Sequence, residues 1–213
     1  MKRKTKFLTG GCLLAAFGLW TALVRLVDVR PIGPNGSSVG FAALNGFVHE
    51  KIGVHLALYI LTDWLSLIPL GCILGFAGLG AVQWVQRKAI RKVDDSILVL
   101  GGFYGIVLAA FLFFEKAVVN YRPVLINGVL EVSYPSSTTM LVLCVMPTAM
   151  MQLRERIKPE KARLCVMVML SAFTAFMVVG RLISGVHWCS DIIGGVLLSG
   201  GLVMLYSAVC ERK

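Results

Sequence analysis

Residues 97–114 read ILVLGGFYGIVLAAFLFF, eighteen consecutive positions with no charged side chain, no amide and no proline. At about 1.5 Å per helical residue the run extends roughly 27 Å, close to the roughly 30 Å of a bilayer's hydrocarbon layer. A helix resting on a soluble core would show a polar stripe, and this one shows none. Charges fence it, Asp94 and Asp95 before and Glu115 and Lys116 after. Outward from it the same pattern recurs at residues 7–26, 54–82, 138–153, 164–183 and 192–209. With 57% of the 213 residues apolar, 15% charged and a mean hydropathy of +0.81, a disordered chain and a nucleic-acid partner are both excluded. The expectation is an all-α, polytopic membrane protein, a single domain over residues 1–213 folded as a bundle of six transmembrane helices.

The net charge of +10 is topological, because the basic residues form short clusters between the apolar runs. Four precede the first run (Lys2, Arg3, Lys4, Lys6) and four follow the second (Arg87, Lys88, Arg91, Lys92). Five follow the fourth run (Arg154, Arg156, Lys158, Lys161, Arg163), and Arg212 and Lys213 end the chain. Cationic loops stay in the cytoplasm, so both termini are expected inside, as in the plasma membrane of a bacterium. The basic start resembles a secretory leader, but its apolar stretch is about 20 residues long and lacks a small-x-small cleavage site, so it reads as a retained first span. The first outer connector, rich in glycine and proline over residues 30–38, leads to a mildly amphipathic stretch at 39–50, expected as a short helix on the membrane surface. Pro69 is the expected kink of the second run, and Gly71 with Gly75 and Gly101 with Gly105 read as close helix contacts. Asp63 reads as a carboxylate turned to the bundle interior, and Trp84 and Trp188 as interface residues. Five of the six cysteines read as small membrane-core residues, with Cys189 left open.

The outer face keeps only six basic residues, Arg25, Arg30, Lys51, Lys116, Arg122 and Arg181. Three stretches of that face carry chemistry: Lys116, Arg122 and Pro123; then Pro135, Ser136, Ser137, Thr138 and Thr139; then Arg181, His187 and Asp191. Cations together with hydroxyls and free N–H groups at a helix start are what a phosphate dianion requires. Arginine offers a planar fork and lysine a movable point charge, so the pair suits a ligand whose charge is redistributed during reaction. His187 and Asp191 are four apart, about 40° on one helical face, so the carboxylate can hold one imidazole nitrogen while the other attacks phosphorus. A membrane serine protease built on Ser136 and His187 lacks a glycine-flanked nucleophile motif and has no use for the two arginines. A small anion-handling transporter would carry internal repeats and interrupted helices, and neither is clear here.

The segments K-AVVNY-RP at 116–123, PSST at 135–138 and R-LISGV-H-WCS-D at 181–191 resemble the three-part pattern of the type 2 phosphatidic acid phosphatase superfamily of integral membrane lipid phosphatases. The resemblance implies that His187 is the nucleophile and Asp191 its orienting partner. Arg181, Arg122, Lys116 and Ser136, with Ser137 beside it, become the phosphate cradle. It implies a lipid phosphate or diphosphate substrate met among membrane lipids, with no cofactor and no metal.

The chain departs from that pattern. Five residues rather than six separate Lys116 from Arg122, and Glu115 occupies the usual lysine spacing. Gly180 replaces the serine before Arg181, Ser137 stands where glycine is usual, and Thr138 takes the place of a second histidine that would protonate the leaving group. General acid catalysis is worth roughly 10² to 10⁴ in rate, and a threonine hydroxyl cannot supply it near neutral pH. Three readings follow. The leaving group needs no proton, which favours a polyprenyl diphosphate; or His49 or His55 supplies it; or the protein binds lipid phosphate with little or no turnover.

Overall fold

The computed structural model describes residues 2–211, so Arg212 and Lys213 of the inner basic count lie outside the described residues. Eight α-helices form in chain order: α1 (Arg3–Leu26), α2 (Ala42–Ile52), α3 (Leu56–Leu65), α4 (Leu67–Arg87), α5 (Asp95–Lys116), α6 (Ser137–Arg156), α7 (Glu160–Ile183) and α8 (Cys189–Cys210). Five stretches are long and apolar enough to cross a membrane: α1, the α3–α4 pair, α5, α7 and α8. The protein is an integral membrane protein of helical architecture. Helix α6 is not among the five, and its position explains why. It is the central helix, and Thr138, Thr139, Thr148 and Gln152 are buried there along with Val142, Cys144, Val145 and Met146. A helix shielded by its neighbours can carry polar groups that a lipid-facing one cannot, because the neighbours supply hydrogen bonds. Gln152, for example, donates to the Tyr206 hydroxyl at 2.7 Å.

The second apolar run is two helices rather than one kinked helix. Pro69 has no N–H to offer the Leu65 carbonyl, and it sits in the first turn of α4, where a missing donor costs least. The chain therefore breaks at Ser66, whose hydroxyl bonds back to the Asp63 carbonyl at 2.5 Å. The close helix crossing falls at glycines other than the expected pairs. Gly71, Gly75, Gly101 and Gly105 all face open space, whereas a Cβ on Gly10 of α1 would come within 3.1 Å of the Gly201 carbonyl of α8, and one on Gly201 within 3.2 Å of the Gly10 carbonyl. The two backbones touch there, and α1 seals one side of α8.

Two polar seams run at the ends of the bundle. At one end Lys6 meets Glu211 at 3.0 Å, Arg87 meets Asp94 at 2.9 Å, and Arg3 donates to the Ala208 carbonyl. The C-terminal ends of α1, α5 and α7 and the N-terminal ends of α6 and α8 gather at the other. Helix α2 lies there, at the place of the expected surface helix, yet Ala42 and Asn45 are fully buried and the helix docks on the start of α8.

Candidate active site

Between α5 and α6 the chain forms a short antiparallel ribbon. Asn127 and Gly128 both have positive φ (51° and 78°), and Ile126 and Val129 exchange two backbone hydrogen bonds across them, the turn that best matches strand twist. Further down the ribbon Arg122 N–H donates to the Glu131 carbonyl and Ser133 N–H to the Asn120 carbonyl, each at 3.0 Å. Arg122 and Glu131 are thus cross-strand neighbours, and their side chains pair at 3.0 Å. The ribbon turns Arg122 back over the bundle end. Its side chain is only 9% exposed.

The imidazole of His187 lies on the short loop between α7 and α8. Its Nδ1 is 3.8 Å from Asp191 Oδ2, and its Nε2 is 3.5 Å from an Arg122 Nη. A guanidinium has only donors, so at this distance it favours a lone pair on Nε2, and Asp191 on the other side favours the proton on Nδ1. Asp191 is wholly buried, with Oδ2 accepting from the Trp188 N–H at 3.0 Å and Oδ1 from the Asn120 amide at 3.1 Å. Burial pulls the His187 pKa down to about 4; Asp191 opposes this, while Arg122 and Arg181 add to it. Asp191 is too far for a full hydrogen bond, so burial prevails and the imidazole is neutral at neutral pH.

Arg181, in the last turn of α7, is 1% exposed, and its charge is poorly met. One Nη reaches Thr62 Oγ1 at 3.3 Å and Asp63 at 3.8 Å, the guanidinium lies 4.8 Å from the Tyr59 ring centre, and Nε has no hydrogen-bond partner. Desolvating a cation costs several kcal/mol, and a stacked ring returns about 2 kcal/mol at best. The balance favours an anion. Beside it Ser136 caps α6, its hydroxyl accepting from Thr139 N–H at 3.5 Å. The first turn of α6 leaves N–H groups pointing out of the helix end.

Two cavities meet there. One of about 480 Å³ is lined by Arg122, Glu115, Glu131, Ser133 and Ser137. The other, about 580 Å³, runs among α4, α5 and α6, with Asp63, Ser137 and Thr138 at its head and Leu70, Ile73, Val107 and Leu108 along it. Phe111, Ser137 and Met140 line both. A polar chamber thus adjoins an apolar channel across shared walls.

Of the residues singled out from sequence, His187, Asp191, Arg122 and Arg181 come together, and Ser136, Ser137 and Thr138 open the helix beside them. Lys116 does not join them. It is exposed at the end of α5 and has no hydrogen bond or ion pair among the described residues, while Glu115 takes a place in the chamber wall. His49 packs on the Trp188 ring and burial lowers its pKa, which disfavours the protonated form that an acid needs; His55 bonds the Ile52 carbonyl at 2.9 Å. Neither is hydrogen-bonded to His187, Arg122 or Arg181. Asp63 serves as the distant counter-ion of Arg181 and remains largely exposed rather than turned inward. Trp188 is not an interface residue: it is 2% exposed, and its indole donates to the Tyr121 carbonyl at 2.8 Å. The Cys189 thiol donates to Asn45 Oδ1 at 3.1 Å. Residues without a signal in motif spacing are Glu131, Tyr59, Asn45 and Asn120; for the ribbon that carries two of them, Asn127-Gly128 between apolar flanks was a readable turn signal.

Fold and site define a helical membrane protein with a buried imidazole between a carboxylate and a guanidinium, a second buried guanidinium close by, and a polar chamber that Arg122 lines. The chain belongs to the PAP2 superfamily, whose family profile matches residues 72–213, about two thirds of the length. It is similar in fold to the crystal structure of the first transmembrane PAP2 type phosphatidylglycerolphosphate phosphatase from Bacillus subtilis, with a TM-score of 0.58, 18% identity and 94% of each chain covered. No curated protein matches the chain significantly.

Proposed function

We propose that this protein hydrolyses a lipid-linked phosphate or diphosphate through a phosphohistidine at His187, with a polyprenyl diphosphate favoured. The observation that carries the reading is the imidazole set between Asp191 and Arg122, with the under-satisfied Arg181 facing the same region. In the first step Nε2 attacks phosphorus, the P–N bond forms and the bond to the leaving oxygen breaks. Asp191 meets the charge that develops on the imidazolium, and the two guanidiniums hold the equatorial oxygens. In the second, water attacks phosphorus, the P–N bond breaks, and inorganic phosphate departs with the water's proton. The chamber suits a headgroup and the apolar channel a hydrocarbon tail, whose burial contributes binding energy remote from the reacting bond.

Thr138 sets the substrate preference in this reading. A diphosphate expels a lipid phosphate monoester, already stable as an anion, whereas phosphatidate or phosphatidylglycerophosphate expels an alkoxide that needs a proton. We place α6 as a sixth span, both termini in the cytoplasm, and the site at the outer headgroup layer of a bacterial plasma membrane, supported by the basic residues of the opposite end. No metal or cofactor enters the proposed steps. A second reading, a lipid-phosphate-binding relative with weak turnover, is favoured by the exposed Lys116 and by Glu115 in the chamber wall. Phosphate release by purified protein from a polyprenyl diphosphate, phosphatidate and phosphatidylglycerophosphate distinguishes them. Turnover that falls by at least roughly 10³-fold in His187→Ala supports the enzyme. Activity that emerges only in Thr138→His supports the binding relative.

A further inference from the structure

The carboxylate behind His187 is held by residues from two other segments of the chain. Asn120, 1% exposed, donates from Nδ2 to Asp191 Oδ1 at 3.1 Å and to the Ser190 hydroxyl at 3.4 Å, while its Oδ1 accepts from the Gly40 N–H at 3.4 Å. Asn45, 0% exposed, donates to the Gly40 carbonyl at 2.7 Å and to the Ser190 hydroxyl at 2.9 Å, and accepts from the Ser190 N–H at 3.1 Å. The two amides therefore clasp Gly40 from both sides and meet at Ser190. Gly40 can lie there only without a side chain, since a Cβ would come within 1.5 Å of the Val24 carbonyl.

The orientation of the Asn120 amide is not free. A carboxylate only accepts and a backbone N–H only donates, so Nδ2 must face Asp191 and Oδ1 must face Gly40. With Oδ1 of Asp191 taken by Asn120 and Oδ2 fixed by the Trp188 N–H, the carboxylate plane cannot rotate, and Oδ2 stays turned to His187 Nδ1. We infer that Asn120, backed by Asn45 and Ser190, is the positioning residue that fixes Asp191 and through it the Nδ1–H tautomer of His187. Outer partners of metal-bound histidines cost about 10- to 100-fold in activity when removed, and a loss of that size is expected for Asn120. The inference rests on the nucleophilic role proposed for His187.

The test reads the imidazole as well as turnover, in the full chain in detergent. With three histidines in the chain, the nitrogen signals that vanish in His187→Gln belong to His187, and their shifts report its tautomer without any substrate. Wild type should show the Nδ1–H form, and Asn120→Ala a mixture, with kcat down by about 10- to 100-fold and KM little changed. Asn120→Asp keeps the shape and supplies a donor while its carboxyl is protonated, because two carboxyls about 3 Å apart do not both ionise readily. Other groups close to the pair are His187, Cys189 and Tyr134, with Arg122 across the imidazole. Turnover by Asn120→Asp should fall relative to wild type as pH rises, and a purely structural role would give no such slope. A folded Asn120→Ala with unchanged tautomer and kcat overturns the inference. Should that variant not fold, an Asn120→Asp profile parallel to wild type overturns it. If wild type turns over no substrate, the phosphatase reading fails while the tautomer comparison still decides the role of Asn120.

Discussion

The two ends of the bundle use the same residue types to opposite effect. At the end away from the site Asp94 binds Arg87 at 2.9 Å, lies 3.9 Å from Arg156 and accepts from Gln83 at 2.8 Å, while its own N–H bonds back to Gln83. Arg156 spends further donors on the Gln152 carbonyl and side chain. The charged side chains there are partly exposed, so water meets whatever the protein does not. At the site end Arg181 is buried with only a distant carboxylate at 3.8 Å, one hydroxyl and an aromatic face. What makes an arginine available to a ligand is therefore desolvation without saturation. Identity of the residue does not decide it, and a count of ion pairs would score the two ends alike.

Lysine substitution separates the ends most sharply. Arg181→Lys keeps the charge but loses the fork that grips two phosphate oxygens, and kcat/KM should fall by roughly 10²-fold. Arg156→Lys at the far end should leave turnover within the error of the assay. Equal effects of the two substitutions on phosphate release would break the comparison.

Much of this contrast was legible in the chain, for a physical reason. Apolar runs declare membrane helices whatever their partners, and the spacing of Arg181, His187 and Asp191 survives in the structure because a helix end and a short loop hold it. Arg122 joined them by another route, a ribbon turned at Asn127-Gly128, and the same turn leaves Lys116 behind at the end of α5. Asn45 and Asn120 had no pattern to give them away, since a buried amide gains its role from partners distant in sequence. The glycine pairs failed likewise: spacing by four permits close approach, but which helix faces meet is decided by the whole bundle, and it chose Gly10 and Gly201.

Proton linkage sharpens the comparison next. His187 has its pKa lowered to about 4 by burial, against an ordinary value of 6.5 when the chain unfolds. Between those values the unfolded chain binds a proton that the folded one refuses, so stability is complete above about pH 6.5 and is lost as pH falls toward 4. Thermal unfolding of wild type should therefore occur at lower temperature at pH 5 than at pH 7, and His187→Gln should narrow that gap. Phosphate release should show no loss of activity near pH 6.5 if His187 is the nucleophile, since its imidazole stays neutral well below that pH. A rate profile that falls through 6.5 would mean that the imidazole is far better hydrated than its 4% exposure implies.

The smallest effect belongs to the end away from the site. Asp94→Asn removes the charge shared by Arg87 and Arg156 while keeping the shape and an acceptor for Gln83. Because these side chains are 28% to 42% exposed, water and salt screen the pairs, and the expected cost is on the order of 1 kcal/mol or less, with no change in turnover. Unfolding in detergent at low and high salt measures it: the deficit should shrink as ionic strength rises. A larger, salt-independent loss would mean that this cluster is held as tightly as the one at the site, and exposure would no longer explain why only the site end has an arginine left for a ligand.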